Sequence, residues 1–458
     1  MNSDSSKEAE LNEKHRFNLY SNSFSQMDDT NGLCLPNSVV KNALDELIKK
    51  QINTDDFSMK IESGSSKGDN YIGVLYRVKV KPNCALQNNN SCKNDKNKKE
   101  LSIIIKLPPQ HEIRRKQFFA RPAFVREALM YDEVLPMYMD FQRSKGIDPI
   151  NAGFHEVPKC LKTITEDGYE AIFLEDLGQF GFQMYNRLKP ITYDHVELII
   201  KAIAKMHAVS FAIKDQNPEK LAKYMDLPDI FSEREHDEHM QAYVDSLRQR
   251  AVDSLNPEQD QQLIEKINNF LGSKNFISIM LDLVNGKAAE PYSIICHGDC
   301  WNNNMLFRYE NGNPVEVKLI DFQISRYASP VTDLMYYIFS CTTKEFRDQY
   351  YDGLLDLYHK QLSTVLKSLG SNPEKVFPRT ALNDQLKKFG KFGLLMAMML
   401  LPIITSHAED IPDLDELSEQ FNSGNLDPIN TFNPKQTLNV YQSRMRGAIF
   451  DMVRLGYF

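Results

Sequence analysis

Apolar residues recur along the chain with two periods, and the switch between them divides the sequence. Near the start, Asn37 reads as an N-cap for a helix over 39–50, with apolar positions at Val40, Leu44 and Leu47. Strand-like alternation follows at 57–61 and 71–80, with Gly64-Ser-Ser-Lys-Gly68 as a glycine turn between the two strands. Residues 82–100 are rich in Asn and Lys and carry little that folding could bury, which predicts a long mobile loop. A third strand is predicted over 101–107, a helix over 122–140 with Phe124, Ala128, Tyr131 and Leu135 on one side, and a further strand over 171–174.

Beyond Gly178 the period becomes helical for most of the remaining length. Asp194 and Glu197 have the spacing of a capping box for a helix carrying Val196, Ile199, Ile200 and Ile203. The change predicts an α+β chain in three parts: a disordered tail over 1–35, an N-lobe over 36–178 and a mostly helical C-lobe over 179–458. A cleft between two such lobes is the expected place for a ligand. The most apolar run, 392–405, contains Pro402 and falls short of the roughly twenty residues that span a bilayer. It reads as a buried helix.

Composition narrows the partners. With 42% hydrophobic and 25% charged residues the chain can build a large core. The net charge of -8 argues against a general affinity for nucleic-acid phosphates. Seven cysteines at irregular gaps, with no CxxC pair, fit reduced thiols in a cytoplasmic protein. The first 31 residues lack the apolar core of a secretory signal.

The chemistry concentrates in Cys296-His-Gly-Asp-Cys-Trp-Asn-Asn-Asn304 and Leu319-Ile-Asp-Phe-Gln323. Asp299 precedes Asn304 by the interval of the Asp and Asn in a kinase catalytic loop. A strand over 305–309, a turn over 310–314 and a strand over 315–320 form a hairpin whose midpoint falls between Gly312 and Asn313. That midpoint places Asn304 beside Asp321, two hard oxygen donors suited to Mg²⁺. Asp299 would accept the proton of an attacking hydroxyl, and His297 would brace the loop. Lys106 lies inside the apolar strand SIIIKLPP, where a bare ammonium is costly to bury; ATP phosphates and Glu127 supply the anions it needs. Gly64 and Gly68 would let the hairpin backbone close over those phosphates.

These residues, with Arg326-Tyr-Ala-Ser-Pro330, Gly68-Asp-Asn-Tyr71, Phe124-Val-Arg-Glu-Ala-Leu-Met-Tyr131 and Phe173-Leu-Glu-Asp-Leu177, resemble the insect ecdysteroid kinase-like family, relatives of choline kinases and aminoglycoside phosphotransferases. The resemblance spans roughly residues 36–450. It implies a bilobal protein-kinase-like fold, ATP and Mg²⁺ as cofactors, and a small alcohol, a steroid or a xenobiotic, as acceptor. By the same comparison Asp299 matches the catalytic aspartate, Asn304 and Asp321 the metal ligands, and Lys106 and Glu127 the nucleotide-site ion pair. Glu175, Asp176 and Leu177 match the hinge beside adenine. The long 82–100 loop and a glycine loop looser than GxGxxG depart from the pattern. A helix opening at Ser329-Pro-Val-Thr-Asp333, with no APE-type segment after Asp321, leaves little room to dock a peptide substrate.

Plainer readings compete at each position. Asp299 or Asp321 taken singly reads equally well as a turn residue, and Lys106 as a snorkelling surface lysine; their joint spacing with Asn304 favours the site. His207 on an apolar helix face reads as a satisfied core histidine. His236 and His239 have zinc-like spacing without a third ligand and read as a solvated face. Gly64–Gly68 also spells GxSxG around Ser66, but a nucleophile elbow needs a helix after the turn, and a strand follows. The rival from a different class is an ATP-binding pseudokinase or scaffold without turnover; the joint presence of Lys106, Asp299, Asn304 and Asp321 counts against it.

Overall fold

In the computed structural model the described residues are 33–65, 73–83, 100–423 and 435–458. Gly68, Ser66, residues 1–32 of the tail expected over 1–35 and most of the 82–100 loop lie outside them. The chain divides into two compact units, Met1–Gly64 with Leu75–Ile105, and Ser65–Val74 with Lys106–Phe458.

The first unit holds helix α1 (Ser38–Ile52), β1 (Phe57–Ser63) and β2 (Val74–Pro82), and most of β3 (Leu101–Leu107). Helix α1 starts where its sequence says it should, because the Asn37 side chain accepts the Val40 N–H at 2.8 Å. It stops at Asn53, which takes the left-handed conformation (φ 55°) that Asn tolerates better than most residues. Strands β1 and β2 pair antiparallel from Phe57↔Pro82 to Ser63↔Tyr76, and the Gly64 N–H extends the ladder to Leu75 O.

The second unit begins with the last residues of β3, Lys106 and Leu107. Helix α2 (Ala120–Leu129) runs through a π-helical turn, Met130–Val134, into α3 (Leu135–Ser144), so the helix expected over 122–140 exists but is interrupted. Strands β4 (Cys160–Ile164) and β5 (Ala171–Glu175) form an antiparallel hairpin. The chain then passes through β6 (Phe182–Met184) into α4 (Tyr193–Gln216), which is buried over most of its circumference and packs along α6 (Lys344–Ser368). Ile199, Ile200 and Ile203 are all 0% exposed, each contributing about 1.5–3 kcal/mol of burial. The expected capping box at its start is a correction: Thr192 is the N-cap, its hydroxyl bonds His195 Nδ1, and Glu197 pairs with Lys201 one turn on. A ring nitrogen within reach outcompetes the backbone amide.

Four short strands carry the predicted chemistry. β7 (Ile294–Cys296) pairs with β10 (Arg326–Ala328), and β8 (Met305–Glu310) pairs with β9 (Asn313–Leu319) and β6. Helix α5 (Val331–Cys341) opens directly after β10, as read from the sequence. Helix α7 (Phe392–Ile404) packs on α5 and is largely buried despite its internal Pro402. Among the described residues no helix is long and apolar enough to cross a membrane. Cys34, Cys160, Cys296, Cys300 and Cys341 are free thiols.

The β8–β9 turn is two residues, Asn311 (φ 51°) and Gly312 (φ 85°), both left-handed as a tight hairpin of this twist requires. An added Cβ at Gly312 would meet nothing within 4 Å, so a substitution there isolates the backbone term. Gly312→Ala is expected to lower stability by about 1 kcal/mol with no loss of packing, read as a small drop in thermal midpoint. An unchanged midpoint would contradict the left-handed turn.

Candidate active site

Lys106, at the end of β3, is 4% exposed, so its charge must be met by protein groups. It donates to Glu127 Oε2 at 2.7 Å, to Asp321 Oδ1 at 2.6 Å and, at 3.4 Å, to Gln323 Oε1. The Phe124 ring lies 5.6 Å from its Nζ, and a Cβ on Gly73 would press on its side chain at 3.3 Å. Burial alone would lower the Lys106 pKa, but the Asp321 and Glu127 carboxylates outweigh it and raise it, so the ammonium stays charged. The surface-lysine reading is thereby excluded. Glu127 on α2 is 1% exposed, and burial, with the Asp321 charge added, raises its carboxyl against the pull of Lys106. Its second oxygen, Oε1, has no hydrogen-bond partner among the described residues.

The loop after β7 is fixed from below. Asp333, near the start of α5 and 1% exposed, accepts the His297 N–H at 2.7 Å, the Gly298 N–H at 2.9 Å and His207 Nε2 at 3.0 Å. Burial would raise the Asp333 carboxyl, but the His207 bond and the loop amides outweigh it and hold it below its ordinary value. His207 bonds Tyr358 through its other nitrogen at 2.9 Å, which makes it the satisfied core histidine expected. Gly298 (φ 88°) sits so close to Ile324 that a Cβ would fall 2.1 Å from its carbonyl oxygen, so only glycine fits. His297 is buried, which lowers its pKa, and both ring nitrogens are committed: Nε2–H donates to Ile320 O at 3.0 Å and Nδ1 accepts the Asp299 N–H at 3.2 Å. Both bonds tie it to the loop and to Ile320. The His297 ring packs 4.5 Å from Phe322, which meets Tyr131 edge-on at 5.8 Å.

Asp299 is 8% exposed and has one donor on each oxygen, Tyr336 Oη at 2.6 Å to Oδ1 and Asn304 Nδ2 at 2.8 Å to Oδ2. Asn304 Nδ2 also donates to the Asp299 carbonyl at 3.0 Å. Burial first, then the nearby Asp321 charge, push the Asp299 carboxyl up to about 6, while the two donors pull the other way.

The hairpin register differs from the one read in the sequence. Met305 faces Leu319, and the Asn304 carbonyl accepts the Ile320 N–H at 3.0 Å, so Asn304 stands opposite Ile320 and not Asp321. The turn sits one residue earlier than expected, and a bulge between Arg308 and Tyr309 shifts the ladder. Asp321 follows the ladder in a left-handed conformation (φ 68°) that directs its carboxylate to Lys106, while Asn304 bonds Asp299.

The structure thus brings Lys106, Glu127, Asp299, Asn304 and Asp321 into one cluster. Elsewhere, Glu175 Oε1 accepts the Lys159 N–H at 2.7 Å, Asp176 Oδ1 accepts the Gly178 N–H at 3.0 Å, and Leu177 is buried where the chain leaves β5. Gly64 belongs to the first unit. Tyr336, Asp333 and Gln323 were missed, the first two because every residue of their helix is buried and no face stands out. Glu127 and Asp321 share one ammonium with the Asp299 carboxyl nearby, and the oxygen donor set and its negative excess suit a hard divalent cation.

This arrangement is that of a kinase-like phosphotransferase. The chain belongs to the ecdysteroid kinase-like family, whose profile matches residues 67–371. No curated protein matches the sequence. Among solved structures the chain is similar to Plasmodium vivax ethanolamine kinase, at 13% identity and a TM-score of 0.43, covering 99% of this chain and 96% of that one. It is also similar to the GDP complex of wild-type aminoglycoside 2'-phosphotransferase-IIIa, at 12% identity and a TM-score of 0.39, covering 89% and 98%.

The raised Asp299 carboxyl makes a stability prediction with a fixed sign. A carboxyl whose folded pKa rises from 3.8 to about 6 favours the fold while protonated, and that contribution is lost as pH rises through 6. In the metal-free protein Asp299→Asn should therefore be more stable than the parent at pH 7, by up to about 3 kcal/mol. The gap should close below pH 4 (about the ordinary carboxyl pKa). Denaturant melts at the two pH values test it; a destabilised variant at pH 7 would refute the charge crowding.

Proposed function

We propose that this chain transfers the γ-phosphoryl group of ATP to a hydroxyl of a small molecule, with Mg²⁺ as cofactor. The observation that carries the reading is the cluster of Glu127, Asp299 and Asp321 around the single cation Lys106, with Asn304 alongside. Magnesium would be held by Asp321 and Asn304, and when bound it would neutralise charge on the triphosphate. Lys106, oriented by Glu127, would hold the ATP phosphates, exchanging Asp321 for them. Glu175, Asp176 and Leu177 would flank adenine.

Asp299 would take the acceptor's proton as the hydroxyl oxygen bonds to the γ-phosphorus and the bond to the bridging oxygen breaks, releasing ADP. Tyr336 and Asn304 hold the carboxylate in one pose and leave its remaining lone pairs for that proton. The acceptor is a small alcohol, and an ecdysteroid or another steroid or xenobiotic alcohol is the class the family membership favours. The early opening of α5 after Asp321 supports a small acceptor over a peptide.

Incubation with γ-labelled ATP, Mg²⁺ and a panel of hydroxylated small molecules tests the reading. Asp299→Asn is expected to cut turnover by about 10²–10⁴-fold while ATP affinity stays within a few-fold. Asp321→Ala should weaken Mg²⁺-dependent nucleotide binding. Parental rates in the first variant, or an unchanged magnesium requirement in the second, would end the assignment of roles. MgATP binding with no turnover on any alcohol would favour the scaffold.

A further inference from the structure

A second built site lies behind β10, outside the groups used above. Arg326 is only 6% exposed, and its Nε approaches Asp229 Oδ2 at 3.2 Å and Ile324 O at 3.3 Å. Among the described residues the hydrogen bond of this guanidinium is the one from Nε, its Cζ lies 6.0 Å from the centre of the Phe231 ring, and Arg326 lines a cavity of about 280 Å³ with Asp226, Asp229, Ser232, Lys287 and Tyr327. Five donors on a buried guanidinium are rarely left so far from saturation.

The charge balance points the same way. Arg126, 8% exposed, reaches the same region, spending its nitrogens on Ser325 O at 2.5 Å and Pro228 O at 2.8 Å, with no carboxylate bonded to it. Asp229 is the carboxylate facing both guanidinium groups, since Asp226 is tied at the exposed rim to Lys287 at 2.9 Å. The neighbouring hydroxyls are engaged: Ser232 donates to Asp229 O at 2.7 Å, and Tyr327 to Glu290 at 2.7 Å. Two buried cations therefore share one anion beside an open cavity, and an uncompensated buried charge is costly.

We propose that this cavity is a binding site for a small oxyanion, a phosphate or a carboxylate, received by the terminal nitrogens of Arg326. Guanidinium is the side chain best shaped for two parallel bonds to such a group, and the cavity has room for the anion with waters around it. Across the β7–β10 ladder Arg326 faces Cys296, the residue before His297, so an occupant would rest against the strand that carries the catalytic loop.

The test is calorimetric titration of the full chain with inorganic phosphate and, separately, acetate, at constant ionic strength and pH. Saturable one-site binding of either ion is expected for the parent, weakened at least 10-fold in Arg326→Gln and unchanged in Lys106→Ala, which separates this cavity from the site at Lys106. Asp229→Asn keeps the acceptor for its own turn and removes the competing charge, so it should bind several-fold more tightly and guards against a folding defect in the arginine variant. Binding of neither ion, binding lost in Lys106→Ala but kept in Arg326→Gln, or no tightening in Asp229→Asn would overturn the proposal.

Discussion

The loop after β7 is held by one buried carboxylate. Asp333 receives two successive loop amides and an imidazole, and without it His297 and Gly298 would leave unpaired N–H groups in the core. Everything above it follows from that anchor. His297 is fixed in one tautomer between Ile320 O and the Asp299 N–H, and Gly298 lets the loop lie against Ile324. The carboxylate of Asp299 is thereby delivered between Tyr336 and Asn304. A rigid loop would matter to the proposed reaction because phosphoryl transfer depends mainly on positioning and charge.

Around that fixed loop, buried carboxylates lie close together. Lys106 answers two carboxylates at once, and a third, Asp299, is raised by burial first and by the Asp321 charge second. Groups that a protein keeps at an energetic disadvantage are those whose partners arrive with the ligand. The orphaned Glu127 Oε1 and the triple engagement of Lys106 go together: the lysine serves two carboxylates and the Gln323 amide at once.

Much of this was legible in the sequence, and what was not has a physical reason. Lys106 could be read because an ammonium in an apolar strand must find an anion, and Asn37 because its side chain is the helix's own start signal. The hairpin at 305–319 was visible from its alternation, but its register was not. One bulge at Arg308 and Tyr309 and a turn one residue earlier move every pair, and neither leaves a mark on hydrophobic pattern. Asp321 joins the cluster through a left-handed backbone that its residue type permits but does not announce. Asp333 and Tyr336 were hidden differently, as ordinary letters in a helix buried on every side, where periodicity separates no functional face from a packed one. The capping box failed because Thr192 had a ring nitrogen within reach, a tertiary competitor that local spacing does not contain.

The strand pair β7–β10 separates two imbalances of opposite sign. After β7 lie carboxylates short of cations, and on β10 lies a guanidinium short of anions, with Cys296 and Arg326 directly opposed. Each imbalance alone would select for a neutralising substitution, since burying an unmatched charge costs several kcal/mol by general estimate. Arg126 and Glu127 are adjacent on α2 and serve one site each, the arginine bonding Ser325 O beside β10 and the glutamate bonding Lys106. A single helix turn thus touches both.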